Sequence, residues 1–231
     1  FSMAAFINFF QSSFGTIFTP LISESFANED HDKISFLFRK SAGWIFGFTV
    51  PFFLIMALYS EDILRLFYGA EYTSGFIPLI IIAAGFVINV ALGLNREILK
   101  VHKDTKFLFW NDVFIAGLNL GLNLLFIDKW GIIGAAVATS LSMVLDNLIV
   151  HLKARKYETL RFDRWYMAKF VIAGFPAALI GKTIFLLPLN DFIALGVSGG
   201  FYAVIYAVLL IALRTFDEED IQILRLVEDR L

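Results

Sequence analysis

The nineteen Lys and Arg residues of this chain sort by side along a set of apolar segments, and this constrains the fold more than any other feature. Seven apolar stretches, helices A to G, run over 6–26, 42–59, 76–94, 107–127, 131–150, 166–187 and 192–213. Threading them alternately across a bilayer puts alternate connections on one side. That side holds Lys33, Arg39, Lys40, Arg96, Lys100, Lys103, Lys106, Lys153, Arg155, Lys156, Arg161, Arg164, Lys169, Arg214, Arg225 and Arg230. The other side keeps Arg65, Lys129 and Lys182. Sixteen against three is the positive-inside distribution, which a water-soluble domain has no reason to show. The expected fold is therefore all-α, a polytopic transmembrane helix bundle of about seven spanning helices. The A/B, C/D and E/F connections and the C-terminus are expected in the cytoplasm, with membrane lipids as immediate partners.

Composition agrees. A mean hydropathy of +0.74 and 58% hydrophobic residues are too apolar for a soluble domain. Each stretch is about 18–22 residues, roughly 30 Å of helix, which matches a hydrocarbon core. Trp44, Trp110 and Trp165 fall at proposed cytoplasmic ends and Trp130 at an external end, the depths that amphipathic rings prefer. The basic residues are juxtamembrane and flanked by acids, so no nucleic-acid partner is expected. With no Cys there is no disulfide framework or thiol chemistry. His31, His102 and His151 stand far apart in sequence, so a metal site would need a spatial coincidence, and none is expected. No pattern for covalent or acid–base catalysis appears, and no cofactor is expected.

Several local readings follow. Pro51 lies inside helix B, lacks an N–H, and frees the carbonyl of Gly47. The B/C connection contains Ile63, Leu64, Leu66 and Phe67 and a turn near Gly69, as for a short interfacial amphipathic helix. Asn89 and Arg96 are seven apart in helix C, hence expected on one face of it. The small residues from Gly131 to Thr139 open helix E with a close-packing face. The D/E link Asp128-Lys129-Trp130 is short enough to force an antiparallel hairpin. Helix F is the weakest span, with twelve residues between Lys169 and Lys182, both of which must snorkel to opposite interfaces. Gly196 and Gly200 read as a second close-packing pair in helix G. Thr215 and Glu218 read as a capping box for an amphipathic tail helix carrying Ile221, Leu224 and Leu231.

Leu118-Asn-Leu-Gly-Leu-Asn-Leu-Leu-Phe-Ile127, followed by Trp130-Gly-Ile-Ile-Gly-Ala-Ala-Val-Ala-Thr-Ser140, resembles polysaccharide flippases of the multidrug/oligosaccharidyl-lipid/polysaccharide exporter superfamily. Phe18-Thr-Pro-Leu-Ile-Ser23, Leu66-Phe-Tyr-Gly-Ala-Glu-Tyr72 and Leu94-Asn-Arg-Glu-Ile-Leu-Lys100 are similar to further segments of that family, in the same order. Two departures, Trp130 for the usual Tyr and Asp128 for a common Pro, sit at the external turn. The resemblance implies a fourteen-helix transporter of two six-helix lobes plus two extra helices. It places residues 1–151 in the C-terminal lobe, 152–164 in a cytoplasmic basic linker, 165–213 in an appended two-helix hairpin and 214–231 in a cytoplasmic amphipathic tail. The chain, which begins at Phe1, then reads as the C-terminal half of a plasma-membrane protein, with its N-terminal lobe as missing partner and a lipid-linked sugar as substrate.

The polar residues at membrane depth are the site candidates. Asn8, Gln11 and Ser12 share a face of helix A, which is either an interhelical hydrogen-bonding face or a cavity wall. Asn89 and Arg96 in helix C, Asn119 and Asn123 in helix D, and Asp146 in helix E complete the set. Asp146 lies about five residues, roughly 7 Å, inside the cytoplasmic end. An Arg96–Asp146 structural ion pair and a mouth site meeting phosphate or a coupling cation are both open. Asn119 and Asn123 are either interhelical pins or substrate ligands. The implied function is translocation of lipid-linked oligosaccharide by alternating access, without enzymatic chemistry. A cation-coupled multidrug or small-molecule exporter is the alternative, and a seven-helix receptor or membrane enzyme the different class.

Overall fold

The computed structural model describes residues 7–185 and 190–228, and these contain helices and no strand. In chain order the helices are α1 (Ile7–Ala27), α2 (His31–Leu58), α3 (Ser60–Tyr68), α4 (Phe76–Ala91), α5 (Asn95–Val101), α6 (Thr105–Ala154), α7 (Arg164–Phe185), α8 (Asp191–Ala212) and α9 (Glu218–Glu228), with a 3-10 segment Ala70–Gly75 before α4. Stretches 31–58, 70–91, 105–154 and 191–212 are long and apolar enough to cross a membrane. α6 does so twice, because it doubles back at Gly131, where φ is +57°. A positive φ suits glycine, which has no Cβ to clash with the following carbonyl.

The hairpin is tight. A Cβ on Gly134 would collide with the backbone carbonyl of Phe126 on the opposite arm. Further down, Asn119 Nδ2 donates to Ser142 Oγ at 3.2 Å. α4 and α1 pack with α2 and α6 around a core of Phe18, Leu21, Ile22, Phe38, Ile45, Phe86 and Ile98. The chain between Tyr59 and Gly75 forms the short amphipathic helix α3, a turn at Gly69 (φ +106°) and the 3-10 segment.

The weak span α7 is held by reciprocal packing on α2. The rings of Tyr166 and Phe170 lie where Cβ atoms of Gly43 and Gly47 would be, at 2.6 and 2.5 Å. In return Leu54 sits over Gly174 and the Tyr59 hydroxyl over Gly181. Lys169 Nζ donates to the Arg214 carbonyl at one end, and Lys182 Nζ to the Leu58 carbonyl at the other, so the two lysines do separate to opposite ends. α2 runs as helix through Pro51. The Gly47 carbonyl that Pro51 leaves without a donor accepts from the Tyr206 hydroxyl of α8 at 2.8 Å. A lone carbonyl at this depth would lack any solvent partner, so this bond joins α8 to α2 chemically as well as sterically.

Three sequence expectations are corrected here. Helix C does not continue from Asn89 to Arg96: α4 ends at Ala91, Gly93 adopts φ +78°, and α5 restarts at Asn95. Phe38 and Ala42 press so closely on Gly93 that a side chain there would clash at 2.9–3.1 Å, which explains why the break falls on a glycine. Gly196 and Gly200 have nothing within 4 Å of a virtual Cβ, so they are not a close-packing pair, and the approach to α7 uses Gly174 and Gly181. The tail's capping box is shifted by two residues. The Asp217 carboxylate accepts from the Asp220 amide at 3.1 Å, and the Asp220 carboxylate accepts from the Asp217 amide at 2.9 Å. Thr215 is buried, and its hydroxyl has no partner among the described residues. Ile223 is fully buried beneath α9; the Leu224 side chain and Leu231 lie outside the described residues.

Candidate functional site

Many of the ion pairs among the described residues lie at the end of the bundle that carries the basic connections. There the start of α9 and the first half of α2 are cross-linked. Lys40 Nζ lies 2.7 Å from Asp217 and 3.3 Å from Asp220, Arg39 lies 3.0 Å from Glu219, and Trp44 Nε1 donates to Asp220 at 2.7 Å. Burial alone would raise the Asp217 carboxyl, but the Lys40 ammonium together with hydrogen bonds from Asp220 holds it below the usual carboxylate range. At the same end Glu158 is buried between His31 Nδ1 at 3.0 Å and His102 Nε2 at 2.9 Å. The two histidines that stand far apart in sequence thus share one carboxylate. Even so, among the described residues no group of three His, Cys, Asp or Glu is arranged to hold a metal ion. Asp104, just before α6, is kept below the usual range by the Tyr157 hydroxyl and by Lys153.

Between α1, the α4–α5 break and the second arm of α6 lies a polar cavity of about 400 Å³. It is lined by Gln11, Ser12, Thr16 and Thr19 from α1, Asn89 and Arg96 on either side of the break, Glu97, and Asp146 and Asn147 from α6. The break brings Asn89 and Arg96 together although they belong to different helices. Arg96 is the junction of the mouth. Its Nη2 lies 2.5 Å from Asp112 on the first arm of α6 and 2.8 Å from Asp146 on the second. Asn111 Nδ2 donates to Asp146 at 2.5 Å. Asn147 donates to the Asn89 carbonyl at 2.5 Å and accepts from Asn95 at 2.9 Å, and Asn95 Oδ1 meets His151 Nδ1 at 2.9 Å. Thr19 donates to Glu97 at 3.2 Å across the cavity.

Of the sequence candidates, the cavity brings together Gln11, Asn89, Arg96 and Asp146. Asn8 lies in the first turn of α1, where its side chain is outside the described residues. Asn119 and Asn123 lie outside this cavity. Asn123 Nδ2 donates back to Asn119 at 2.8–3.0 Å, and Asn119 reaches across the hairpin to Ser142. Asp112, expected from the topology at a depth similar to Arg96, does meet it; residues the sequence reading passed over are Asn95, Asn111 and Asn147. Asn111-Asp112 was visible as a polar pair at the depth of Asp146, once arms D and E are laid antiparallel.

The charges decide what this wall does. The lining carries one guanidinium, Arg96, and two carboxylates, Asp146 and Glu97; Arg96 pairs with Asp146 and Asp112, and Glu97 with Lys100 at 2.8 Å. Half-exposed ion pairs contribute roughly 0–1 kcal/mol each, so the cluster is poorly explained by stability alone. The wall offers hydroxyls and amides rather than net positive charge. That chemistry fits sugar hydroxyls better than phosphate.

A family model described as lipid II flippase MurJ matches residues 5–207. A probable low-salt glycan biosynthesis flippase of Haloferax volcanii is 27% identical over 173 residues, which is 75% of this chain and 34% of that protein. An uncharacterised membrane protein of Methanocaldococcus jannaschii is 27% identical over 137 residues, 58% of this chain and 26% of that protein. The chain thus spans about a third or less of the length of these curated relatives. A solved structure of lipid II flippase MurJ in an inward closed conformation is similar with a TM-score of 0.62 at 18% identity, covering 92% of this chain and 47% of that one. That is a likeness of fold.

Proposed function

This chain belongs to the lipid II flippase MurJ family, and from that premise we propose that it forms part of a membrane transporter that moves a lipid-linked sugar across the bilayer. It acts as a transporter and not as an enzyme. The supporting observation is the polar cavity of about 400 Å³ inside an otherwise apolar bundle, opening beside Arg96. Residues 1–151 supply one wall of a central cavity, residues 165–213 a hairpin packed on α2, and the facing wall comes from an N-terminal lobe. The basic end is cytoplasmic. Rocking of the two lobes exposes the cavity first inward and then outward. On this wall Gln11, Ser12, Thr16, Asn89 and Asn147 hydrogen-bond the sugar. Its acidic excess leaves the substrate's phosphate charge to the other lobe. Arg96 ties α5 to both arms of α6 and fixes the inner mouth.

The test is surface glycan display by the full-length protein in cells lacking their own flippase, normalised to membrane protein level. Arg96→Gln and Asp146→Asn should each lower display about tenfold, the loss of about 1.4 kcal/mol of differential binding. The double change should fold but stay low. Full recovery in the double variant would reduce the pair to a structural role, and normal display from both single variants would remove it from the mechanism.

Orientation has its own test. In a cysteine-free full-length background, a Cys at Lys103 should resist an impermeant thiol reagent in intact cells, while one at Glu71 should label. The reverse pattern overturns the orientation. Glu158 is unsuited as a reporter, because its side chain is buried between His31 and His102.

A further inference from the structure

A second cleft opens at the basic end, away from the sugar wall. It has a volume of about 430 Å³ and lies where α6 ends and the linker turns into α7. Its rim is Arg155, Arg161 and Arg164, and its inner surface is His151, Leu160 and Phe162. The three guanidiniums make no hydrogen bond or ion pair with any described residue. At the same end Arg39, Lys40, Arg96 and Lys153 have carboxylate partners, which these three lack. The linker's own acids are engaged elsewhere. Glu158 is held by His31 and His102, and Asp163 accepts from the Tyr166 amide at 2.8 Å at the start of α7. Arg164 is also the first residue of α7, where the helix dipole disfavours a cation. Three uncompensated positive charges therefore converge on one concave surface.

We propose that this cleft binds the phosphodiester headgroup of an acidic membrane lipid. Charge complementarity calls for an anion. Position and lining select a lipid over a soluble one. The cleft lies where the apolar second arm of α6 ends and α7 begins, the expected depth of the bilayer boundary, and Trp165 beside it is 67% exposed, as an interfacial anchor would be. Leu160 and Phe162 give it an apolar base for the glycerol and upper acyl carbons. Basic pockets of this kind between helices hold acidic headgroups. The headgroup would bridge the end of α6 and the start of α7. The choice of leaflet rests on the orientation proposed above; the binding itself does not.

The test uses the purified full-length protein in detergent, titrated with phosphatidylglycerol or phosphatidylcholine, with retained lipids counted by native mass spectrometry. The wild type should keep at least one phosphatidylglycerol at concentrations where phosphatidylcholine is lost. R155Q/R161Q/R164Q should lose that preference by about a hundredfold in affinity, at about fivefold per charge. R155K/R161K/R164K should keep most of it, and K129Q, at the opposite end, all of it. Equal retention of both lipids by the wild type would overturn the proposal whatever the variants do. So would unchanged phosphatidylglycerol retention in the glutamine variant. If inorganic phosphate displaces the lipid at comparable concentration, the site is for a soluble anion and the lipid assignment fails. None of these readouts depends on glycan export.

Discussion

Lys40→Met should sharply lower the folded yield and thermal stability of the full-length protein in detergent. The Lys40 and Asp220 side chains are 5% and 3% exposed, and Asp220 also receives hydrogen bonds from Trp44 and Tyr166. Removing the ammonium leaves that carboxylate buried without a counter-charge, a loss of about 3–5 kcal/mol. Asp217 and Glu219 are half-exposed and add little. Asp220→Asn in the same chain should recover most of the loss, because the amide still accepts from Trp44. Thermal unfolding followed by tryptophan fluorescence reads both effects. An unchanged midpoint in Lys40→Met would mean that α9 does not dock on α2.

The second large effect is expected at Gly134. Alanine there already drives a methyl into the Phe126 carbonyl, and leucine more so. The obstacle is backbone, so no rotamer relieves it, and the arms of α6 must separate. Overpacking of this kind costs about 1–3 kcal/mol, and more where the neighbour cannot move. Gly117→Ala and Gly121→Ala, with nothing within 4 Å, serve as controls and should leave stability unchanged. Detergent-solubilised yield and melting midpoint compare the three. Equal behaviour at all three positions would show that the hairpin does not close as described.

The features legible in the sequence were those written in composition and in local chemistry. Charge sidedness and segment length give the bundle, because lipid penalises misplaced charge along the whole chain. The orphaned Gly47 carbonyl follows from Pro51 alone, but its donor, Tyr206, lies 159 residues away and no local rule points to it. Gly134 and Gly196 look alike in sequence; whether a glycine meets a helix or open space depends on how the helix is rotated about its axis. The break at Gly93 was hidden because Leu92 and Leu94 keep the segment apolar through a conformational change. Thr215/Glu218 and Asp217/Asp220 both have capping-box spacing, and the ion pairs with Lys40 select the second. In the candidate site, Arg96 and Asp146 were reachable from depth and charge. Asn95 and Asn147 were not, since their roles arise from the α4–α5 break and a long-range pairing.

The bond from Tyr206 to the Gly47 carbonyl also has a timetable. A ribosome adding roughly 5–20 residues per second needs about 8–32 s to pass from Gly47 to Tyr206. Through that interval α2 can already have left the insertion machinery with an acceptor that hydrocarbon cannot satisfy. The nascent bundle must keep that carbonyl wet, or keep α2 beside the translocon, until α8 arrives. α8 thus serves as a late fastener for α2, made 159 residues earlier, and a stop codon between Gly47 and Tyr206 would release a membrane protein whose α2 had never been closed.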